Sequence, residues 1–193
     1  MSKGLKLSEI LVTVLISVVF AIIYNLWWFF YNITQVAGIH LEQLTYGVWF
    51  MAAVVCYLII PKPGIAILAE LAAGAGETIV MGKFDIPTII YALLQGVACE
   101  IIFAIFKYQS RSAAVAMLAG LVTALATFPV DYFYGYLNEV AGLNLFLFIL
   151  FRSISGIVIT GLVSYWLVRA LDKTGVTKLF RPVSYTHLTL PTT

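Results

Sequence analysis

Charged side chains are scarce in this chain, since only 10% of its 193 residues are Asp, Glu, Lys or Arg. A typical soluble domain carries about 25%. Hydrophobic residues make up 62% of the sequence, and no polar stretch is long enough to form a soluble domain of its own. The composition therefore predicts an all-α integral membrane protein.

Cysteine and histidine are almost absent, which limits the chemistry available. Cys56 and Cys99 lie within apolar runs and match no zinc or redox spacing, so they are interpreted as packing residues. The two histidines, His40 and His187, fall outside the apolar runs. No nucleophile–base pair or metal-ligand set is visible, so we expect neither an enzyme nor a protein with a metal or cofactor.

Two further motifs are missing. No Gly-x-x-x-x-Gly-Lys-Ser/Thr loop occurs, so any ATP hydrolysis coupled to this protein must come from another chain. No basic patch with interleaved aromatic residues occurs either, which argues against nucleic-acid binding.

The apolar runs predict six membrane-spanning helices, each near the roughly 20 residues that about 30 Å of hydrocarbon requires. They cover residues 7–31, 44–60, 65–81, 87–107, 113–137 and 145–171. Pro129 should kink the fifth and free a carbonyl near Leu125. Residues 1–181 would form one membrane domain, and residues 182–193 a disordered tail or a remnant of cloning. The outer loop at 32–43 would be either a lid or a plain connector.

Orientation follows from the cationic residues. With the N-terminus in the cytoplasm, every Lys and Arg except Lys83 and Arg152 falls on the cytoplasmic side. This bias favours six spans with both termini cytoplasmic.

Several polar residues nevertheless lie inside the spans, where a charge costs several kcal/mol. They are Glu70, Glu77, Gln95, Glu100, Asp131 and Arg152. Counting about 1.5 Å per residue puts Glu77, Gln95, Asp131, Arg152 and the aromatic Trp49 in the outer half of the membrane. Glu100 lies deeper, and Glu70 lies nearer the cytoplasm and outside the ligand layer. This distribution predicts a cup open to the outside, not a channel.

The predicted cup is slightly acidic and aromatic, which suits a cationic heterocycle held by cation–π contacts and by a carboxylate. Other interpretations stay open. Asp131 and Arg152 would also fit a plain ion pair between helices, and Glu70 and Glu100 would fit groups satisfied by backbone or helix N-termini. The protein as a whole would also fit a stand-alone secondary carrier or a structural membrane subunit.

Four short motifs resemble a known family. They are Pro61-Lys62-Pro63-Gly64 followed by Glu70 and Glu77, Gln95-Gly96-x-x-x-Glu100, Asp131-Tyr132-Phe133, and Arg152-x-Ile154-Ser155-Gly156. Together they resemble YkoE-type S components, the substrate-binding subunits of energy-coupling-factor (ECF) vitamin transporters.

The resemblance implies a six-helix subunit of the bacterial cell membrane with a site for thiamin or its hydroxymethylpyrimidine precursor near the outer face. It also implies partners: a membrane-embedded T component and two ATP-hydrolysing subunits, with one S subunit per complex. The expected binding residues are Trp49, Glu77, Gln95, Glu100, Asp131, Tyr134 and Arg152.

Each of these residues has an expected role. Glu77 and Gln95 would hydrogen-bond the aminopyrimidine, and Trp49 and Tyr134 would stack on rings. Asp131 would offset the thiazolium charge, Arg152 would orient Asp131 or reach a hydroxyl, and Glu100 would brace the floor of the site.

Overall fold

The computed structural model describes residues 4–36, 38–138, 140–175 and 177, and in these ranges it contains helices and turns but no strand. The predicted all-α class is confirmed. The segment 182–193, with His187, lies outside the described residues.

Eight α-helices, one 3₁₀ helix and one π-helical segment follow one another along the described chain. In order they are α1 Leu7–Gln35, the 3₁₀ helix Leu41–Phe50, α2 Met51–Ile59, α3 Ile65–Val80, α4 Ile86–Ile105, α5 Ala113–Ala126, α6 Phe128–Phe133, α7 Gly142–Ser155, the π-helical segment Gly156–Val163 and α8 Ser164–Thr174.

Five helical segments of the described chain are long and apolar enough to cross a bilayer. They are Leu7–Gln35, Leu41–Ile59, Ile86–Ile105, Ala113–Phe133 and Gly142–Thr174. Helix α3, with 16 residues, is shorter than each of these five segments, although it packs along α1 and α4. The count of six spans therefore stays a prediction.

The second of these segments begins as a 3₁₀ helix, which the sequence did not indicate. Gly47 is fastened to the start of the π-helical segment: its N–H donates to Ser155 Oγ at 2.8 Å, and its carbonyl accepts from Thr160 Oγ1 at 2.6 Å. A Cβ atom at position 47 would meet the Ser155 carbonyl oxygen at 2.5 Å. Only glycine fits this contact without a shift of the backbone.

We expect the substitution Gly47→Ala to destabilise the protein by about 1–3 kcal/mol, the usual cost of overpacking a filled interior. Thermal unfolding in detergent would measure the effect. A matched control is Gly4→Ala, where an added Cβ meets no atom within 4 Å and the backbone is not left-handed. A Gly47→Ala protein as stable as the wild type would contradict the close contact.

The kink predicted at Pro129 corresponds to an interruption of the helix at Thr127, whose own backbone angles stay helical. Helix α5 ends at Ala126, and α6 starts at Phe128 with Pro129 in its first turn, where a missing N–H costs nothing. The Leu125 carbonyl accepts from the N–H of Thr127. The break leaves the Thr127 side chain buried between the helices, where it serves the site described next.

Candidate functional site

A cavity of about 540 Å³ opens at the end of the bundle where α1 finishes and α4 begins. Its size lies within the range of roughly 300–1,000 Å³ typical of small-molecule sites. Side chains from α1, the 3₁₀ helix, α3, α4, α6 and α7 line it.

The 3₁₀ helix supplies a column of cavity residues. Gln43, Tyr46 and Trp49 are spaced by three and all line the cavity. Side chains three residues apart eclipse one another in a 3₁₀ helix, whereas they diverge in an α-helix. The unusual helix type therefore places an amide, a phenol and an indole on one line.

Glu77 of α3 is held by two indoles. Trp28 Nε1 and Trp49 Nε1 both donate to Glu77 Oε1, at 3.0 and 3.1 Å, and the two rings meet edge to face with centroids 5.4 Å apart. Among the described residues, none donates a hydrogen bond to Oε2. The carboxylate is fixed in position and keeps one oxygen for a ligand.

Gln95 of α4 is the second open polar group. Its side chain lines the cavity and is only 3% exposed, yet its amide makes no hydrogen bond with any described residue and is not sealed off from the cavity. Buried amides normally have partners in folded proteins. An amide with free donors and a free acceptor at this place fits a ligand contact.

Asp131 and Arg152 form a buried ion pair through Asp131 Oδ2 and Arg152 Nη1. The other carboxylate oxygen accepts from Tyr91 Oη at 2.6 Å. The guanidinium also donates from Nε to Gln43 Oε1 at 2.8 Å and from Nη1 to Thr127 Oγ1 at 2.9 Å. The plain ion pair left open by the sequence is thus present, within a wider network.

Aromatic rings surround the Arg152 guanidinium. Its central carbon lies 3.8 Å from the ring centroid of Tyr46, 4.5 Å from that of Phe148 and 5.1 Å from that of Phe128. Cation–π contacts of this kind contribute up to about 2 kcal/mol when desolvated. Its Nη2 donates to no described residue, so this nitrogen is available to an oxygen in the cavity.

Hydrogen bonds extend this network toward the mouth. Gln43 Nε2 donates to Tyr31 Oη at 2.8 Å and to Glu42 Oε1 at 3.1 Å, and His40 Nδ1 lies 3.3 Å from the same oxygen. Because α1 continues to Gln35 and the 3₁₀ helix starts at Leu41, the predicted loop 32–43 is mostly helical. Its expected role as a lid stays a prediction.

Asp85 stands at the rim and begins α4. Its Oδ2 accepts from the Thr88 hydroxyl at 2.7 Å and from the Thr88 N–H at 3.0 Å. These two hydrogen bonds lower the pKa of the Asp85 carboxyl group, the side-chain bond being the larger cause. The residue is therefore a helix cap that also contributes negative charge to the mouth.

Glu70 lies at the floor of the cavity, which corrects the expectation that it stands outside the ligand layer. Its Oε2 accepts from the Ala53 N–H at 3.0 Å and its Oε1 from Tyr24 Oη at 3.1 Å, while Tyr24 Oη accepts from the Ala52 N–H at 3.2 Å. Glu70 thus serves the first-turn amides of α2, which have no partner within their own helix.

Glu100 has a parallel function one helix further on. Its two oxygens accept from the N–H groups of Gly64 and Ala66 at 2.6 and 3.0 Å, which open α3. Glu100 does not belong to the cavity lining. The alternative that both buried glutamates satisfy helix N-termini agrees with these contacts.

The structure brings together five of the seven expected residues: Trp49, Glu77, Gln95, Asp131 and Arg152 all line the cavity. Tyr134 does not, although its ring lies 6.4 Å from that of the lining residue Tyr91. Sequence reasoning missed Tyr91 and Gln43. The position of Tyr91 four residues before Gln95, and so on the same helix face, could have indicated the first.

A helical bundle with apolar segments long enough to cross a bilayer and a polar cavity at one end is compatible with a membrane transport component. Comparisons with known proteins agree. A family model described as an ABC-type cobalt transport system permease component matches residues 8–126. The chain is 32% identical, over 90% of its length and 88% of the relative's, to the "Putative HMP/thiamine permease protein YkoE" of Bacillus subtilis (strain 168).

A solved structure, described as "Crystal structure of an S-component of ECF transporter", matches as well. It superposes with a TM-score of 0.83 at 31% identity, and the match covers 91% of this chain and 89% of the solved one. The chain belongs to the ECF transporter S components of the YkoE type. It is therefore a transport component and not an enzyme.

Proposed function

We propose that this chain is the substrate-binding subunit of an ATP-driven ECF importer for thiamin or its hydroxymethylpyrimidine precursor. The observation that carries the proposal is the pair of open polar groups in one cavity, Glu77 Oε2 and the Gln95 amide. The relative's name, which joins hydroxymethylpyrimidine (HMP) and thiamine, supports the choice of ligand.

In the proposed pose the aminopyrimidine lies beside Glu77 and Gln95. The carboxylate accepts from the exocyclic amine, and the amide pairs with a ring nitrogen. The Trp49 indole, anchored through its N–H to Glu77, offers its ring face to the pyrimidine. Two-point recognition of this kind distinguishes an amino-pyrimidine from a heterocycle without the amine, because the missing donor would leave buried groups unpaired.

The far side of the ligand would lie near Arg152. Both Asp131 oxygens are already engaged by Arg152 and Tyr91. Asp131 therefore stabilises the positive charge of a thiazolium electrostatically, at a distance, and not by direct contact. Arg152 Nη2 donates to the ligand hydroxyl. Tyr134 acts through Tyr91, and Glu100 holds the start of α3, away from the ligand.

The proposal includes six spans, cytoplasmic termini and a bacterial plasma membrane, with the cavity facing outward. The charges support this orientation. Lys83 lies at the cavity end of the bundle. Six other cations flank helix termini at the opposite end: Lys6, Lys62, Lys107, Arg111, Arg169 and Lys173. Cytoplasmic ends of membrane helices carry such an excess.

The proposed partners are a T component and two ATP-hydrolysing subunits, with one S subunit per complex. The absence of a phosphate-binding loop from the sequence supports this division of labour. The family description names cobalt, but the described residues contain no group of three or more His, Cys, Asp or Glu side chains that could hold a metal ion. An organic ligand is therefore the better fit.

Tryptophan fluorescence tests the proposal. Trp28 and Trp49 flank Glu77, so thiamin or hydroxymethylpyrimidine should quench the purified protein at sub-micromolar concentration. The matched control is Trp166→Phe, which removes an exposed indole on α8 and should leave the quenching unchanged. Absence of both quenching and calorimetric heat with either ligand would contradict the proposal, as would heat released by Co²⁺ alone.

A further inference from the structure

A second cavity, of about 110 Å³, lies at the opposite end of the bundle. It is formed by the end of α2, the turn between α4 and α5, and one face of α8. Its lining consists of Leu58, Arg111, Tyr165, Val168, Arg169 and Asp172. No part of the transport site described above uses it.

The lining carries an excess of one positive charge, because two guanidinium groups face one carboxylate. The Arg169 guanidinium lies 5.6 Å from the centroid of the Tyr165 ring, which holds the side chain along α8. Asp172 accepts from Thr177 Oγ1 at 2.6 Å. Arginine pairs with phosphate through parallel N–H groups and is less strongly hydrated than lysine. A small anion with several oxygens suits this lining.

The turn that presents Arg111 has a fixed and costly conformation. Lys107 and Tyr108 both adopt left-handed backbone angles, with φ of 53° and 57°, which non-glycine residues rarely do. Hydrogen bonds hold the turn: the Tyr108 N–H donates to the Phe103 carbonyl at 2.9 Å, and Tyr57 Oη donates to the Ser110 carbonyl at 2.8 Å. Strain that is maintained in this way is concentrated at binding sites.

The cavity lies at the ends of two helical segments that are apolar enough to cross a membrane, which is the depth expected for lipid headgroups. The turn follows the last residue of the membrane segment Ile86–Ile105, and the α8 face lies near the end of the segment Gly142–Thr174. Trp166 and Leu167, which lie between the lining residues Tyr165 and Val168 in the sequence, are exposed, as side chains in contact with lipid would be. Basic pockets between helix ends on the cytoplasmic side are typical sites for anionic lipid headgroups.

We propose that this cavity binds a phosphate group, and that an anionic membrane phospholipid supplies it. Arg111 and Arg169 contact the phosphate oxygens, Tyr165 closes one side, and the acyl chains lie along the apolar surface of α8. Free inorganic phosphate has the same chemistry but lacks those chains. The proposal is independent of the ligand that the larger cavity binds.

The test uses the full chain purified in detergent and stripped of lipid. Phosphatidylglycerol, phosphatidylcholine or inorganic phosphate is added, and native mass spectrometry counts the lipid that stays bound while thermal unfolding reports stabilisation. We expect phosphatidylglycerol to be retained in preference to phosphatidylcholine. Arg111→Gln and Arg169→Gln should each weaken this retention by about fivefold, the effect of one cation near an anionic lipid.

Two matched variants sharpen the test. Lys173→Gln removes the same charge from α8 at an exposed residue outside the lining, and it should change retention less than either arginine variant. Asp172→Asn removes the opposing carboxylate and should raise lipid retention. Because an unfolded protein would lose lipid, such a gain cannot be explained by misfolding.

Three results would overturn the proposal: equal retention of the two lipids by the wild type, a loss with Lys173→Gln as large as that with the arginine variants, or no gain with Asp172→Asn. Stabilisation by inorganic phosphate equal to that by phosphatidylglycerol would overturn the lipid as the source.

Discussion

In the proposed thiamin site, replacing Glu77 with glutamine is expected to weaken binding by about 10- to 150-fold. Glutamine has the same shape, and its oxygen can still accept from Trp28 and Trp49. Its NH₂ group then replaces the oxygen that faces the cavity, so a donor meets the donor of the aminopyrimidine. The loss corresponds to one charge-assisted hydrogen bond, about 1.5–3 kcal/mol. Isothermal titration calorimetry measures it directly.

The control is the same substitution at Glu100, which is also buried in a membrane helix but lies outside the cavity lining. Because Glu100 holds the N–H groups of Gly64 and Ala66, Glu100→Gln should lower thermal stability and leave the thiamin Kd within about twofold of the wild type, well below the loss of a hydrogen bond. Equal loss of affinity in both variants would show that Glu77 acts through the fold and not through ligand contact.

Replacing Arg152 with methionine is expected to destabilise the protein by about 3–5 kcal/mol. Methionine approximates the stem of arginine but leaves the Asp131 carboxylate buried with Tyr91 alone. An uncompensated charge in the interior costs this much, far more than the loss of an exposed ion pair. Thermal or denaturant unfolding in detergent would show the effect.

The double variant Arg152→Met with Asp131→Asn supplies the control, because it removes both charges. Its loss of stability should be much smaller than the sum of the losses in the two single variants, because the two charges are coupled. Additive losses would mean that the contacts of Arg152 with Tyr46, Phe148 and Phe128, and not the charge pairing, dominate the energetics.

The sequence predicted most of the fold because membrane helices follow directly from apolar runs. Helix α1 begins at Leu7 and α3 at Ile65, the predicted first residues of spans one and three. Pro129 marks its break, since a residue without an N–H cannot continue a helix. The cost of charge in hydrocarbon, likewise, made Glu77, Asp131 and Arg152 conspicuous.

The remainder depended on contacts that no local pattern records. Depth counting gives the height of a residue along its helix but not how far a cavity extends, so it placed Glu70 outside a cavity that in fact reaches it. Gln43 was assigned to a loop because nothing in the sequence distinguishes a 3₁₀ helix from other short segments. Polar residues in spans also serve two purposes: Glu77 and Glu100 look equivalent in the sequence, yet one lines the cavity and the other caps α3.

The 3₁₀ helix also affects how far the chain reaches. The 19 residues of Leu41–Ile59 would extend about 28 Å as a regular α-helix at 1.5 Å per residue. With ten of them at about 2.0 Å per residue the segment extends about 33 Å, which is enough for the hydrocarbon layer. Rewinding Leu41–Phe50 into an α-helix would shorten the crossing by about 5 Å and turn Gln43 and Trp49 away from a common line. Length and the geometry of the cavity lining are therefore coupled in this one segment.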